Sequence, residues 1–175
     1  APWPPPAATT SRRPPIRFSL APPDGTTIHP GNQPPFELSP DGRQLVAVLV
    51  DRKGTRSLWV RALDSLSWRQ LAGTDGAIDP FWSPDGGQIG FFKDNRLQRV
   101  PSSGGDVQTI CEAPSSIGGT WNADGVILLA IQRGLHRVPA AGGAPSRLTF
   151  EQARDNDVNL WPTFLPDGRQ FLFVV

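Results

Sequence analysis

The sequence contains no methionine and a single cysteine, Cys111, among its 175 residues. A lone cysteine excludes a disulfide framework and a thiolate metal site within the chain. It fits a reducing cytosol or an oxidising periplasm equally well. Because natural chains begin with methionine, we expect this sequence to be a piece of a longer protein or a processed form of one.

Charge and long hydrophobic runs are also scarce. Seventeen Lys and Arg residues face sixteen Asp and Glu residues, for a formal net charge of +1, and the basic residues are scattered along the chain. This balance excludes the basic surface typical of nucleic-acid binding. The longest apolar run, residues 45–50, is far shorter than the ~20 residues that cross a bilayer, and no signal peptide is visible. We expect neither nucleic-acid binding nor membrane insertion by this chain.

One short pattern occurs four times: a hydrophobic or Trp-containing run, an Asp-Gly turn and a second apolar run. The copies are FELSPDGRQLVAVLV (36–50), FWSPDGGQIGFF (81–92), TWNADGVILLA (120–130) and FLPDGRQFLFVV (164–175). The turn pairs are Asp41-Gly42, Asp85-Gly86, Asp124-Gly125 and Asp167-Gly168. In such turns Asp bonds its local backbone and Gly adopts a positive φ, so we interpret these residues as structural.

The spacing of these turns predicts the architecture. A period of about 40 residues with strand-like content is typical of a β-propeller, which has one four-stranded antiparallel blade per repeat. We therefore predict an all-β chain with about three and a half blades of a propeller of six or more. Residues 1–15 are predicted to be a Pro-rich linker, and residues 16–31 a ring-closing strand (16–20) followed by a loop. The predicted blades are residues 32–72, 73–112, 113–150 and 151–175, the last one partial.

These motifs resemble a known repeat family. Blades with a W/F-x-SPDG turn, and an outer hairpin of the RVPxxGG type at residues 99–110 and 137–148, resemble TolB-like, WD-related β-propeller repeats. The Pro-rich start, RFSLAPPDGTTI and NQPPFELSPDGRQL resemble more closely the propeller of a group of bacterial membrane-bound serine/threonine protein kinases of acidobacterial type. That resemblance implies a parent with a cytoplasmic kinase domain, a membrane span and this propeller outside the cytoplasm. No kinase motif occurs in this chain.

Binding residues are expected in the loops that lead from one blade to the next, at 72–79, 113–118 and 151–159. These loops differ in sequence while the framework repeats, and variable loops on a rigid array are where recognition concentrates. The candidates for binding a protein or peptide ligand are Asp75, Asp79, Arg154, Asp155, Asp157 and Trp161. Trp82, Trp121 and Trp161 precede their turns at similar distances, where a large ring wedged between blades is the commoner use.

Metal and catalytic motifs are weak. Asp155, Asp157 and Asn159 form a D-x-D-x-N pattern, but the Gly and Glu that calcium loops add are missing. His29 and His136 have no ligand-forming neighbours at metal spacing. The chain has no G-x-S-x-G nucleophile motif. We expect no cofactor, no metal and no catalysis by this chain.

Three functions remain open. The first is a sensing or protein-interaction module of a serine/threonine kinase, on the periplasmic side and tethered by an upstream span. The second is a TolB-type scaffold, soluble in the periplasm. The third is the gating propeller of a prolyl-oligopeptidase-like peptidase. In each case the remaining blades of the parent would be partners of this chain.

Overall fold

The computed structural model describes residues 19–29, 35–149 and 159–175, and every regular element in those ranges is a β-strand. Among these residues, no helix is long and apolar enough to cross a membrane. The strands are β1 (Thr26–Ile28), β2 (Phe36–Leu38), β3 (Gln44–Asp51), β4 (Arg56–Ala62), β5 (Arg69–Gln70), β6 (Ile78–Trp82), β7 (Gln88–Lys93), β8 (Arg96–Pro101), β9 (Gln108–Glu112), β10 (Ser116–Trp121), β11 (Val126–Ile131), β12 (Gly134–Pro139), β13 (Ser146–Arg147), β14 (Leu160–Phe164) and β15 (Phe171–Val174).

Each repeat forms its own antiparallel sheet. Blade 2 (β6–β9) and blade 3 (β10–β13) are four-stranded, with the strands in chain order. Blade 1 has five strands because β1 and β2 both pair with the inner edge of β3, while blade 4 consists of β14 and β15. The prediction of an all-β chain built from four-stranded antiparallel sheets is confirmed.

The second strand of each complete blade is apolar on both of its faces. Val46 and Val48 on β3 pack with Trp82 and Phe91 of blade 2. On the other side of blade 2, Phe92 joins a second cluster with residues of blade 3. The sequence of a strand that is buried on both faces is a continuous apolar run rather than an alternation of apolar and polar residues. Each such side chain contributes about 1.5–3 kcal/mol by leaving water, so the blades are held mainly by their neighbours.

The start of the chain differs from the prediction. Residues 16–18 of the predicted ring-closing strand lie outside the described residues, and Ser19 and Leu20 are not in a strand. Instead, β1 forms inside the segment predicted as loop and pairs with Leu49–Asp51. It supplies the first half of an inner edge whose second half is β2. The ring-closing role of residues 16–20 stays a prediction.

Candidate functional site at the inner strands

The antiparallel order of the strands gives the blades two distinct ends. The Asp-Gly turns lie at one end, which we call the turn end. The segments that enter each inner strand, such as residues 72–77, lie at the opposite end, together with the two-residue hairpins Asp94-Asn95 and Gln132-Arg133. We call this the loop end. It carries the loops predicted to bind.

Each of the inner strands β6, β10 and β14 contains a bulge near the loop end. The register shifts between Ile78 and Phe81 in β6, and the same shift recurs in β10 and β14. The residue in the bulge has a left-handed backbone: Asp79 (φ 49°), Gly118 (φ 76°) and Trp161 (φ 48°). Each lies six residues before its turn aspartate. A positive φ is an outlier for a side chain as large as Trp.

The corresponding residue of blade 1 is Pro35, which explains the divided inner edge of that blade. Proline holds φ near −65° and has no N–H, so it cannot adopt the left-handed conformation of the other bulges. The inner edge of blade 1 therefore does not continue toward the loop end as one strand. There, β1 takes its place beside β3.

The three bulges bring two of the predicted residues to one place. The backbone N–H of Gly118 donates a hydrogen bond to the Asp79 carboxylate across the junction of blades 2 and 3. A Cβ on Gly118 would lie 2.9 Å from Cδ1 of Trp161 and 3.2 Å from its Cα, in blade 4. Asp79 and Trp161, far apart in sequence, thus flank the same glycine. We call these three residues the bulge site.

The electrostatics of the bulge site depend on Asp79 and Arg56. Desolvation raises the pKa of the Asp79 carboxyl, while the Gly118 N–H and the Arg56 charge lower it by smaller amounts. Desolvation and the same Arg56 charge lower the pKa of His29. Sequence reasoning missed Arg56 because it lies on β4, outside the variable loops. The site offers a half-buried carboxylate near a tryptophan residue that is 37% exposed, which suits recognition of a ligand.

A second carboxyl with an altered pKa lies on the inner strand of blade 1. Desolvation raises the pKa of Glu37 to about 7. The residue as a whole is exposed, so protein crowds this carboxyl without sealing it from water. Its backbone carbonyl accepts a hydrogen bond of 3.1 Å from Nε1 of Trp82, in blade 2. No sequence pattern pointed to Glu37, because its environment is created by the neighbouring blade.

The three tryptophans grouped in the sequence do not share a structural position. Trp82 and Trp121 end their inner strands three residues before the turn aspartate, and both pack in the cores between blades. Trp161 lies in a bulge instead, and Phe164 takes the corresponding position of blade 4. Trp161 lies six residues before its turn aspartate, so it was wrong to group it with Trp82 and Trp121 by distance from the turn.

The remaining candidates for binding are less well defined. Asp75 is exposed in the loop before β6, and that loop is fixed by the neighbouring Thr74. The Thr74 hydroxyl accepts the Leu58 N–H (3.0 Å) and donates to the Leu71 carbonyl (2.6 Å). Arg154, Asp155 and Asp157 lie outside the described residues, and with them most of the D-x-D-x-N pattern. Within residues 19–29, 35–149 and 159–175, no group of three His, Cys, Asp or Glu side chains could hold a metal ion.

The turn aspartates make their contacts within their own turns. Oδ1 of Asp85 accepts hydrogen bonds from the Ser83 hydroxyl (2.6 Å) and the Gly87 N–H (2.9 Å). These bonds lower its pKa, and the pKa values of Asp41 and Asp167 are lowered by similar bonds. In the third turn the Asn122 side chain accepts the N–H of Val126 instead. All of these bonds lie at the turn end, opposite the bulge site.

Comparison with solved structures decides the fold. The putative TolB from Agrobacterium tumefaciens superimposes with a TM-score of 0.60 at 25% identity, over 79% of this chain and 53% of that one. TolB from Acinetobacter baumannii gives 0.65 at 18% identity, over 81% and 38%. The β-propeller domain of the Trilobed protease from Pyrococcus furiosus gives 0.52 at 18% identity, over 69% and 42%. The fold is a β-propeller.

This propeller chain spans about half the length of the first of these proteins and 38% of the second. A scan against protein families and a search of curated proteins found no match. The likeness is therefore one of architecture: TolB-like propeller blades, which also occur beside peptidase domains.

Proposed function

We propose that this chain is a non-catalytic sensing and protein-interaction module, the extracytoplasmic part of a bacterial membrane-bound serine/threonine protein kinase. The observation that carries the proposal is the bulge site. It places the Asp79 carboxylate and the Trp161 indole on either side of Gly118, at the loop end of a rigid array. The sequence resemblance to kinase-associated propellers supplies the parent.

The geometry of the bulge site supports binding in two ways. Bulky residues in left-handed conformations are retained where surrounding structure holds them, and they cluster at functional sites. Trp161 is such a residue. It lies near the Asp79 carboxyl, whose pKa is raised because burial outweighs the stabilising Gly118 N–H and Arg56 charge. Aromatic and charged groups presented together on a rigid scaffold are typical of protein and peptide recognition. In this proposal Asp75 extends the same surface, and Arg154, Asp155 and Asp157 remain binding candidates from the sequence alone.

Two other functions have support from one comparison each. The superposition on TolB favours a periplasmic scaffold that binds an envelope partner. The superposition on a protease propeller favours a domain that controls access to a peptidase. Neither changes the use of the loop end as the binding surface. They differ in what precedes and follows the propeller in the parent.

The reading frame of the source gene tests the choice of parent. Kinase motifs and an apolar span of ~20 residues upstream, with further blades downstream, would support the receptor kinase. A cleavable signal peptide with no kinase would favour the TolB-type scaffold. A downstream G-x-S-x-G motif would favour the peptidase.

The role of the bulge site is tested by substitution in the parent kinase. Asp79→Asn preserves a residue that tolerates a positive φ but removes the charge. We expect it to change autophosphorylation in cells of the source organism. The matched variant Asp64→Asn alters an exposed aspartate between β4 and β5, at the turn end, and should leave the level unchanged. Equal levels in both variants would remove the bulge site from the proposal.

A further inference from the structure

The junction of blades 2 and 3 is open at the turn end. A cavity of about 400 Å³ lies there, lined by residues 83–85 and Gln88 of blade 2 and by residues 121–123 and Gly125 of blade 3. We call it the turn cleft. Both of these blades are complete four-stranded sheets in the interior of the array, and the volume is that of a site for a small ligand.

The neighbouring junctions are closed at the same place. Between blades 1 and 2, a Cβ on Gly86 would lie 4.0 Å from Cδ of Pro40. Between blades 3 and 4, a Cβ on Gly168 would lie 3.7 Å from Cβ of Asn122. A Cβ on Gly125, the equivalent glycine of blade 3, would meet no described atom within 4 Å. The turns therefore touch at two junctions and stand apart at the third.

The rest of the junction between blades 2 and 3 is closely packed. Phe81 is buried there, and a Cβ on Gly119 would lie only 2.6 Å from its ring. Toward the outer strands, Nη1 of Arg99 donates to the Ala140 carbonyl at 3.2 Å. The turn cleft is therefore a local gap in a closed junction and does not result from two blades that stand apart.

A hydrogen-bond donor without an acceptor lines the turn cleft. At the junction of blades 1 and 2, Nε1 of Trp82 donates to the peptide carbonyl of Glu37 at 3.1 Å. Trp121 takes the same position in blade 3, three residues before its turn aspartate. Within the described ranges its Nε1 has no acceptor, and it is not sealed from water. A peptide carbonyl supplied by a ligand would form the bond that the preceding junction makes internally.

The turn cleft also has a negative charge without a basic neighbour in its own turn. Of the described residues that line it, Asp85 alone is charged. In blade 1 the charge of Arg43 helps to lower the pKa of the turn aspartate Asp41, but Gly87 takes that position in blade 2. Hydrogen bonds from Ser83 and Gly87 lower the pKa of Asp85 instead, so the carboxylate is ionised at neutral pH. Because a carboxylate has roughly four acceptor sites, these two bonds leave capacity for a ligand.

We propose that the turn cleft binds a short basic peptide segment of a partner protein, with an Arg or Lys side chain at Asp85 and a peptide carbonyl on the Trp121 N–H. The carboxylate selects a cation, and the indole donor selects an adjacent backbone carbonyl. An arginine within an extended segment presents both groups, and its guanidinium suits a carboxylate. The turn cleft lies at the opposite end of the blades from the bulge site and does not depend on the function proposed for it.

Nitrogen–proton correlation spectra of the 175-residue chain test the binding. The probe is the acetylated, amidated peptide Ala-Arg-Arg-Ala, added at low ionic strength so that salt does not screen the charges. We expect a saturable shift of the Trp121 indole resonance, which is the one that Trp121→Phe removes. The Trp82 indole resonance should stay in place because its N–H is already bonded. The uncharged peptide Ala-Gln-Gln-Ala should bind at least threefold more weakly.

Matched substitutions in equivalent turns locate the charge. Asp85→Asn keeps an oxygen for the bonds within the turn, removes the charge and should weaken binding at least threefold. Asp41→Asn makes the same change at the closed junction and should leave the affinity unchanged. Gly87→Arg gives blade 2 the arginine that blade 1 has, beside the Asp85 carboxylate, and should compete with the peptide. Gly87→Gln controls for the bulk of that side chain and should bind more tightly than Gly87→Arg.

Three results would overturn the proposal. One is a Trp121 resonance that does not respond to the basic peptide, or that responds equally to both peptides. Another is an affinity that neither Asp85→Asn nor Gly87→Arg reduces. The third is a Trp121 resonance that moves in Arg12→Gln, Arg13→Gln without any peptide, since the cleft would then belong to the basic pair of this chain. Each result leaves the bulge site untouched because that site lies at the loop end.

Discussion

At the scale of single residues, the same position of the repeat carries very different side chains. Asp79, Gly118 and Trp161 share a left-handed bulge, and Pro35 stands where that bulge is impossible. The sequence analysis had named Asp79 and Trp161 as binding candidates, but for different reasons: Asp79 because it lies in a variable loop, and Trp161 because its ring is large. Their proximity could not be predicted, because it depends on an amide of the intervening blade.

The carboxyl of Glu37 gives the molecule a pH dependence that can be measured. Its pKa in the folded state is about 7, above the ordinary 4.5, so folding favours the protonated form. With respect to this group, the native state is most stable below pH 4.5, where the carboxyl is protonated in both the folded and unfolded states. That stability is lost as the pH rises through 7 and the buried carboxyl ionises. Glu37→Gln removes the cost of ionisation. Thermal unfolding should show the variant gaining about 1 kcal/mol over the parent between pH 5 and 8, after allowance for solvent screening.

The matched substitution for this experiment is Glu112→Gln. Glu112 lies exposed on β9, where it pairs with Arg96 at 2.9 Å. Glu112→Gln should not show the gain in stability between pH 5 and 8 that is expected of Glu37→Gln. A stability difference for Glu37→Gln that is the same at pH 5 and pH 8 would contradict the account of this carboxyl.

At the scale of elements, strands and turns were predictable wherever the repeat was regular. The apolar run that follows the Asp85-Gly86 turn, part of the strand-like repeat noted in the sequence, forms strand β7. Strand β1 was missed since its segment carries Pro-Pro and Asp-Gly breakers, and it forms only because β3 offers an unfilled edge. The division of the inner edge of blade 1 between β1 and β2 is thus decided by tertiary structure and cannot be predicted from local β-propensity.

The junction of blades 2 and 3 depends on two glycines that accommodate one ring. A Cβ on Gly119 would lie 2.6 Å from Cε1 of Phe81, and a Cβ on Gly90 would also overlap that ring. Phe81 is itself buried, with 3% of its surface exposed. Gly90→Ala should therefore lower the free energy of unfolding by about 1–3 kcal/mol through overpacking. Urea denaturation measures the loss.

The partner substitution Phe81→Leu shows whether the ring is responsible. It shortens the side chain, so Gly90→Ala should cost clearly less in the Phe81→Leu background than in the parent. Equal costs in the two backgrounds would mean that the glycine is required for some other reason.

At the scale of the whole molecule, the fold is a series of blades that hold one another. Besides the apolar junctions, Arg69 Nη2 donates to the Ser102 carbonyl (2.6 Å) and Arg99 Nη1 to the Ala140 carbonyl (3.2 Å), each reaching the next blade. Such contacts between neighbours alone are characteristic of repeat arrays. The period of the sequence predicted this architecture, whereas the individual contacts between blades depend on side chains that the period does not specify.

The most direct test of the account is a nuclear Overhauser spectrum of the isotope-labelled chain. Stacked blades predict cross-peaks from the Trp82 indole N–H to the backbone protons of Glu37 and Leu38, at the junction of blades 1 and 2. They also predict cross-peaks from the Phe164 amide to the Thr120 side chain, at the junction of blades 3 and 4. Cross-peaks within each repeat but none between repeats would contradict the blade array, and with it the bulge site.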